Sequence, residues 1–200
     1  CSHFCEMVTN PKQMPELLHR AMRTAIGRRG VAVLVLPGDV SLLEVDTDSV
    51  PAFALPTVTA PEPMAEDVAQ AAEILSGAKR VTILAGSGCA GAHDELVALA
   101  DRLAAPIVHA FRGKEHVEWD NPCDVGMTGL IGFSSGYHAL KECDTLLMLG
   151  SDFPYRNFYP TGAKVIQVDR DPGALGRRVP LDLAVVADVG RFAAALAPKI

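Results

Sequence analysis

Cysteine is scarce, and its scarcity removes one class of protein at once. The five residues (Cys1, Cys5, Cys89, Cys123 and Cys143) are odd in number and scattered over 200 positions, so a disulfide framework is not expected. Cys1 and Cys5 flank His3, but no second ligand pair follows at matching spacing. Ordinary packed thiols are the plainer reading than a metal site. Basic charge is also short: 18 Lys and Arg against 24 Asp and Glu leave a net charge of -6, the wrong sign for a nucleic-acid partner. No apolar run approaches the roughly 18 residues of a membrane span. No signal peptide opens the chain either, so the cytoplasm is the expected compartment. Peripheral membrane contact through another segment stays open. An initiating Met is missing as well. The opening CSHFCEMV reads as the interior of a longer polypeptide, and a fragment is the expectation.

What is present suits a packed globule. Hydrophobic residues make up 49% and charged residues 21%, enough for one complete α/β domain plus a piece of a neighbour. Apolar residues recur at helical spacing over 15–28, and Arg28-Arg29-Gly30 has the form of a basic last turn closed by a C-cap glycine. The run VAVLVLP (31–37) then suits a strand buried on both faces of a parallel sheet. One helix and one strand cannot close a core, so residues 1–40 read as the tail of a preceding domain. Residues 41–62 carry Pro51, Pro56 and Pro61 with the acids Glu44, Asp46 and Asp48, and show no period, which marks a linker.

From 63 to 200 the pattern is regular. Helix is expected at about 64–75, through Leu96, Leu99 and Leu103, near 137–141, and from Asp188 through Phe192 and Leu196. Strands are expected at 80–85, 106–110, 145–149, 163–168 and 183–186. This alternation gives the fold class: α/β, a Rossmann-like doubly wound parallel sheet.

Ligands of such sheets bind beyond the carboxyl ends of the strands. There, Gly86-Ser87-Gly88-Cys89-Ala90-Gly91 fits G-x-G-x-x-G between strand and helix. Two readings stand: Gly86 and Gly88 offer amides to an anion, or they make a purely structural tight turn. The next strand ends at His109-Ala110-Phe111 with Arg112 and Lys114 beyond, and lacks the acid that NAD-type ribose binding needs. Asp169 is better placed, as a ribose or adenine acceptor or else as a helix N-cap or turn residue before Pro172. For Asp188 the N-cap reading leads. The segment 126–132, with Thr128, Gly129, Leu130 and Ile131, can lie along a flat cofactor or bury itself between domains. Ser151, Asp152, Phe153, Pro154 and Tyr155 follow a buried strand. They supply amides and rings, Arg156 can pair with a phosphate, and the alternative is an aromatic packing patch with Phe158 and Tyr159. The six histidines are dispersed, and KEHVEWD (114–120) reads as a solvated loop. No nucleophile, base and orienter assemble.

Together VLPGDV (35–40), GSGCAGAH (86–93), the stretch from 105 to 136, FPYRNFY (153–159) and VIQVDRDP (165–172) resemble thiamine-diphosphate-dependent enzymes of the pyruvate dehydrogenase (quinone), or pyruvate oxidase, type. The resemblance spans essentially all 200 residues, and its long middle stretch is far more specific than the glycine motif. It implies the end of a pyrimidine-binding domain at 1–40, a linker, and a central FAD-binding domain at 63–200. It implies FAD contacts at Thr128, Gly129, Leu130, Ile131, at Ser151, Asp152, Phe153, Pro154, Tyr155 and at Asp169, with Gly86 and Gly88 less directly. For the intact enzyme it implies thiamine diphosphate and Mg2+ held outside this chain, and oxidative decarboxylation of pyruvate to acetate and CO2. Electrons pass through FAD to a membrane quinone, in a homotetramer. The isolated fragment would be inactive. Asp152 departs from the pattern by placing a carboxylate where a phosphate would lie, with Arg170 as its nearest expected offset. A non-oxidative relative of the acetolactate synthase or decarboxylase kind, and a non-catalytic nucleotide-binding module, are the competing expectations.

Overall fold

The computed structural model describes residues 1–45, 53–55 and 57–200, so Asp46, Asp48, Pro51 and Pro56 of the expected linker lie outside the described residues. The chain divides into two compact units, Cys1–Thr59 and Ala60–Ile200.

In the first unit β1 (Phe4–Met7) and β2 (Ala32–Val35) pair in parallel, with Phe4 opposite Ala32 and Met7 opposite Val35. The connection between them is α1 (Met14–Arg28), entered through Asn10, whose Oδ1 accepts from the Lys12 amide at 3.0 Å. The strand β1 is not announced by the sequence, because four residues facing largely outward carry no alternation. The C-cap expectation needs correcting too. Arg29, not Gly30, takes the left-handed conformation, with φ of 48°. A Cβ on Gly30 would stand 2.4 Å from Cδ2 of the exposed His3 side chain, which would have to turn aside. A short helix α2 (Gly38–Ser41) forms where the pattern reads as the start of an aperiodic stretch.

The second unit is a six-stranded sheet, every pairing parallel. Its strands are β3 (Val81–Ala85), β4 (Ile107–His109), β5 (Asp124–Met127), β6 (Thr145–Leu149), β7 (Lys164–Asp169) and β8 (Leu183–Val186). They lie in the order β5-β4-β3-β6-β7-β8. The chain therefore winds outward from β3 to β5, returns to the middle, and winds outward the other way, which is the Rossmann strand order. The intervening helices are α3 (Ala65–Ser76), α4 (His93–Leu103), α5 (Lys114–Val117), α6 (Ser134–Glu142) and α7 (Val189–Leu196).

Alternation along each strand divides the core. Ile83, Leu147, Leu149, Ile166 and Val168 join Leu96, Leu99 and Phe192 from α4 and α7 on one face. Leu84, Val108, Leu146, Met148 and Val165 meet Leu140 of α6, Phe153 and Tyr159 on the other. Continuous apolar strands at β3 and β6 follow directly, since the two central strands are covered on both sides. Asp188 caps α7, accepting the Arg191 amide at 3.0 Å, as its N-cap reading expects. Lys114 to Asp120 is not a simple solvated loop. It begins with α5, buries Val117, and stacks Trp119 on His93 with ring centroids 3.9 Å apart.

Candidate ligand groove

The winding reverses between β3 and β6, and their carboxyl ends must diverge there to leave a crevice. The two loops that leave this point nevertheless touch. A Cβ on Gly86 would lie 2.3 Å from the Gly150 carbonyl oxygen, and one on Gly88 would lie 2.6 Å from the Gly150 Cα. Gly150 itself has φ of 56° and would drive a Cβ to 2.4 Å from the Gly88 Cα. The amide of Gly86 donates to Leu149 O and that of Gly88 to Gly150 O, each at 2.9 Å. Neither is left for an anion. The phosphate-cradle reading of G-x-G-x-x-G is corrected on this point: its glycines admit a neighbouring backbone. Cys89, fully buried below them, bonds Leu149 O through Sγ at 3.3 Å, and burial pushes its thiol up to about 12.

Above this contact lies a groove of 610 Å³, within the range of small-molecule sites. Four strand ends line it: Gly86 and Ser87 after β3, Ala110 to Arg112 after β4, Met127 to Ile131 after β5, and Gly150 to Tyr155 after β6. Ten of the twelve expected site residues meet here. Gly88 lies behind the wall, and Asp169, at the end of β7, stands outside the lining. Burial raises the Asp169 carboxyl above its ordinary value, and its Oδ1 accepts the Asp171 amide at 2.9 Å, the turn role left open for it.

The β5 loop is shaped by glycine. Gly129 has φ of 113°, and a Cβ there would press to 3.3 Å from the Phe153 ring. A Cβ on Gly132 would collide with Met127 O at 2.5 Å. The loop turns back through Gly132 N to Gly129 O at 3.0 Å and Phe133 N to Met127 O at 2.8 Å. This leaves Leu130 and Ile131 about 70% exposed at the rim, while Thr128 is only 3% exposed. The Thr128 amide is satisfied by His109 O, but its Oγ1 is buried without a hydrogen-bond partner. Phe153 closes the floor of the opposite wall, edge-on to Tyr155 at 5.4 Å, and Tyr159 bonds its carbonyl at 2.8 Å. The packing-patch reading therefore holds for Tyr159, whereas Tyr155 faces the groove.

Charge near the groove is arranged otherwise than expected. Asp152 is held by Arg178 through Nε at 2.8 Å and Nη2 at 3.1 Å, and by Arg177 through Nη1 at 2.8 Å. Burial alone would raise the Asp152 carboxyl. The bonds and charges of Arg178, then Arg177, outweigh it and hold the group below the usual carboxylate value. Arg170, the expected offset, is paired instead with Asp188 across β7 and α7. Arg156 donates to Arg177 O at 3.3 Å. Beneath the Ser151 backbone, Gln167 of β7 is 1% exposed. Its Nε2 donates to Ser151 O at 3.1 Å and Ala174 O at 3.3 Å, and its Oε1 accepts Gly176 N at 2.9 Å.

His109 is the one histidine near the site that is sealed off, at 1% exposure. Its Nε2 lies 3.4 Å from Glu118 and 3.5 Å from Asp124, without hydrogen-bond geometry to either. Burial raises the Asp124 carboxyl, while the hydrogen bond from Lys114 lowers that of Glu118.

Sequence reasoning did not assign Ala110, Phe111 and Arg112 to a ligand site, and took in Ser87, Met127 and Gly150 only as members of longer segments. Their signal was positional: each adjoins the end of a strand. Gln167, Arg177 and Arg178 had no such signal, because a buried amide in an apolar strand and two arginines in a turn acquire their role only from the loop they meet.

A doubly wound parallel sheet with an apolar groove at its switch point is the architecture in which α/β domains hold their ligands. The chain belongs to the thiamine pyrophosphate enzyme family, since residues 68–196 match the model of that family's central domain. It is 58% identical over its whole length to an uncharacterized 42.6 kDa protein in the isoamylase 3' region of Pseudomonas amyloderamosa, of which it spans 51%. It is 37% identical to the Bacillus subtilis protein YdaP, provisionally named as containing thiamine pyrophosphate, over 92% of this chain and 32% of that one. More distant relatives include the acetolactate synthase large subunit of Corynebacterium glutamicum (31% identity, 95% of this chain and 32% of that one). The pyruvate oxidase of Lactiplantibacillus plantarum is another (27%, 96% and 32%). The chain thus spans between a third and a half of these relatives. Benzoylformate decarboxylase from Polynucleobacter necessarius has the same fold, with a TM-score of 0.77 at 24% identity, over all of this chain and 38% of that one.

Proposed function

We propose that this chain is the FAD-holding central domain of a thiamine-diphosphate-dependent enzyme that decarboxylates pyruvate oxidatively, to acetate and CO2, with a quinone as electron acceptor. The Thr128 hydroxyl carries the reading. A buried, unpartnered oxygen at the lining of an apolar groove costs roughly 1–3 kcal/mol unless a ligand satisfies it. The residues present fit an adenine-dinucleotide flavin. Thr128 supplies a hydrogen bond, Gly129 lets the main chain approach closely, Phe153 and Tyr155 offer ring faces and edges, and Leu130, Ile131 and Phe111 exclude water. Asp169, which stands outside the lining, is assigned to the same ligand through the oxygen that its turn does not use. When bound, FAD would supply a two-electron carrier. The protein's part is to hold and orient it.

Residues 1–40 then belong to a pyrimidine-binding domain, 41–62 to a linker, and 63–200 to the flavin domain. Thiamine diphosphate and Mg2+ are assigned to other parts of the polypeptide, which we take to be a homotetramer in the cytoplasm that touches the membrane peripherally. No helix among the described residues is long and apolar enough to cross a membrane.

The likeness to an acetolactate synthase favours a second reading, in which the domain serves a non-oxidative enzyme mainly as scaffold. One experiment separates them. Full-length protein should be yellow, and its flavin absorbance should bleach on adding pyruvate with thiamine diphosphate and Mg2+. Pigment that stays oxidised would support the scaffold reading, and protein that takes up no FAD would refute both the flavin assignment and the oxidative one.

A further inference from the structure

The groove wall after β6 presents a carboxylate, Asp152, where an anionic ligand would be repelled. We infer that Arg177 and Arg178 are affinity-determining residues of the groove, offsetting the negative charge of that wall so that it accepts a ligand bearing a diphosphate. The inference rests on the flavin reading for the ligand's identity but not for its charge.

The geometry is specific. Arg178 meets both oxygens of Asp152 in a two-pronged fork, a planar match that lysine could not make. Arg177 reaches the Oδ2 side with Nη1 and spends Nε and Nη2 on Gly173 O, at 3.2 Å and 2.8 Å. Two guanidiniums on one carboxylate leave those three side chains at net charge +1, and the Asp169 carboxylate, near enough to feel Asp152, brings the group to neutrality. Asp152 lines the groove while both arginines approach from the 171–178 turn, so the turn offsets the charge of a wall that it does not itself line. The Gly86 and Gly88 amides are spent on protein carbonyls, so these two do not supply positive potential to the groove.

The test uses full-length protein and three probes: FAD and ADP, both anionic, and riboflavin, which lacks phosphate. Asp152→Asn removes the negative charge and leaves both guanidiniums. It should tighten FAD and ADP about three- to tenfold at low salt, and the gain should shrink toward nothing at about 1 M salt. Arg178→Gln should weaken both by about tenfold. Riboflavin binding should stay within about twofold in either variant. Opposite shifts for the two variants, confined to the anionic probes, are what a charge-setting role requires. If both variants weaken all three probes alike, the cluster is only structural and the inference is wrong. If the wild-type protein binds ADP with this charge dependence but not FAD, the inference stands and the flavin reading falls. If FAD binds and the variants leave it unchanged, the flavin reading stands and the inference falls. Should the wild-type protein bind no probe, both fail.

Discussion

Gln167 is the most informative place to disturb the site. It sits in β7 with 1% exposure, and its amide joins two loops that share no other covalent or strand connection: Ser151, on the groove, and Ala174 to Gly176. Gln167→Leu conserves volume roughly and removes all three bonds. The Gly176 amide is exposed and can turn to water, so it adds little. Ser151 and Ala174 are 3% and 6% exposed, and each carbonyl would lose a donor without gaining a water. At about 1–3 kcal/mol for each buried group left unpaired, and with partial relief from loop opening, the loss should be about 2–4 kcal/mol. Urea unfolding monitored by far-UV circular dichroism measures it as a lower midpoint at unchanged slope. Gln167→Glu sharpens the test. An ionised Glu still accepts from Gly176 but faces two carbonyl oxygens with no proton to give. Its folded-state pKa must therefore rise above the ordinary Glu value near 4.3. A raised carboxyl pKa favours the folded state below the unfolded value, and that advantage is lost as pH rises through the folded value. The Glu variant should therefore regain stability, relative to wild type at the same pH, as the solution is acidified from 7 toward 4.5. A Leu variant within 0.5 kcal/mol of wild type, or a Glu variant whose deficit is independent of pH, would show that these bonds do not hold the wall.

Other positions yield shorter tests. Ala104 closes α4 in the left-handed region at φ of 48°, so Ala104→Gly should stabilise the unit by about 0.5–1 kcal/mol, read from the same urea midpoint. Asp188→Ala removes the cap of α7 and the partner of Arg170, and should cost about 1–2 kcal/mol at pH 7. Burial alone would raise the Asp188 carboxyl, but the Arg170 bond and the Arg191 amide prevail and lower it. Its contribution is thus present above the unfolded carboxylate value near 3.9 and fades as pH falls through the lower folded value, so wild type and variant should converge in acid. Gly88→Ala should destabilise by about 1–3 kcal/mol and weaken ligand binding together, because the new methyl must push the Gly150 backbone away. A variant with intact stability would contradict the contact.

The sheet was legible because burial on both faces writes itself into sequence. VTILA and TLLML, as unbroken apolar runs, are recognisable as central strands, and Leu96, Leu99 and Leu103 have helical spacing. The strand β5 was not legible. Asp-Val-Gly-Met at an edge has one neighbour, a register shift against β4 and half-exposed residues, so neither alternation nor continuous burial appears. Four residues of β1 escaped for the same reason. The groove was legible as a set of strand ends, since topology alone brings those together. Side-chain partnerships across loops were not: nothing in the spacing of Asp152 and Arg178, 26 residues apart, says that they meet, and Arg170 looked the nearer cation until it turned to Asp188.

The glycines at the switch point show why a motif can be matched for the wrong reason. A strand-to-helix turn with G-x-G-x-x-G is compatible with any demand that forbids a Cβ, whether from a phosphate or from a second backbone. Here the second backbone is present, for Gly150 O lies where a Gly86 Cβ would be. The consequence for the groove is physical. Drawing the β3 and β6 loops into contact seals the crevice at its base and leaves the groove above it, between the β5 loop with its unpartnered Thr128 hydroxyl and the aromatic wall at Phe153. A domain built this way grips a ligand through close main-chain approach and ring contacts. Its diphosphate, if it carries one, gains nothing from the Gly86 and Gly88 amides, which are already bonded within the protein.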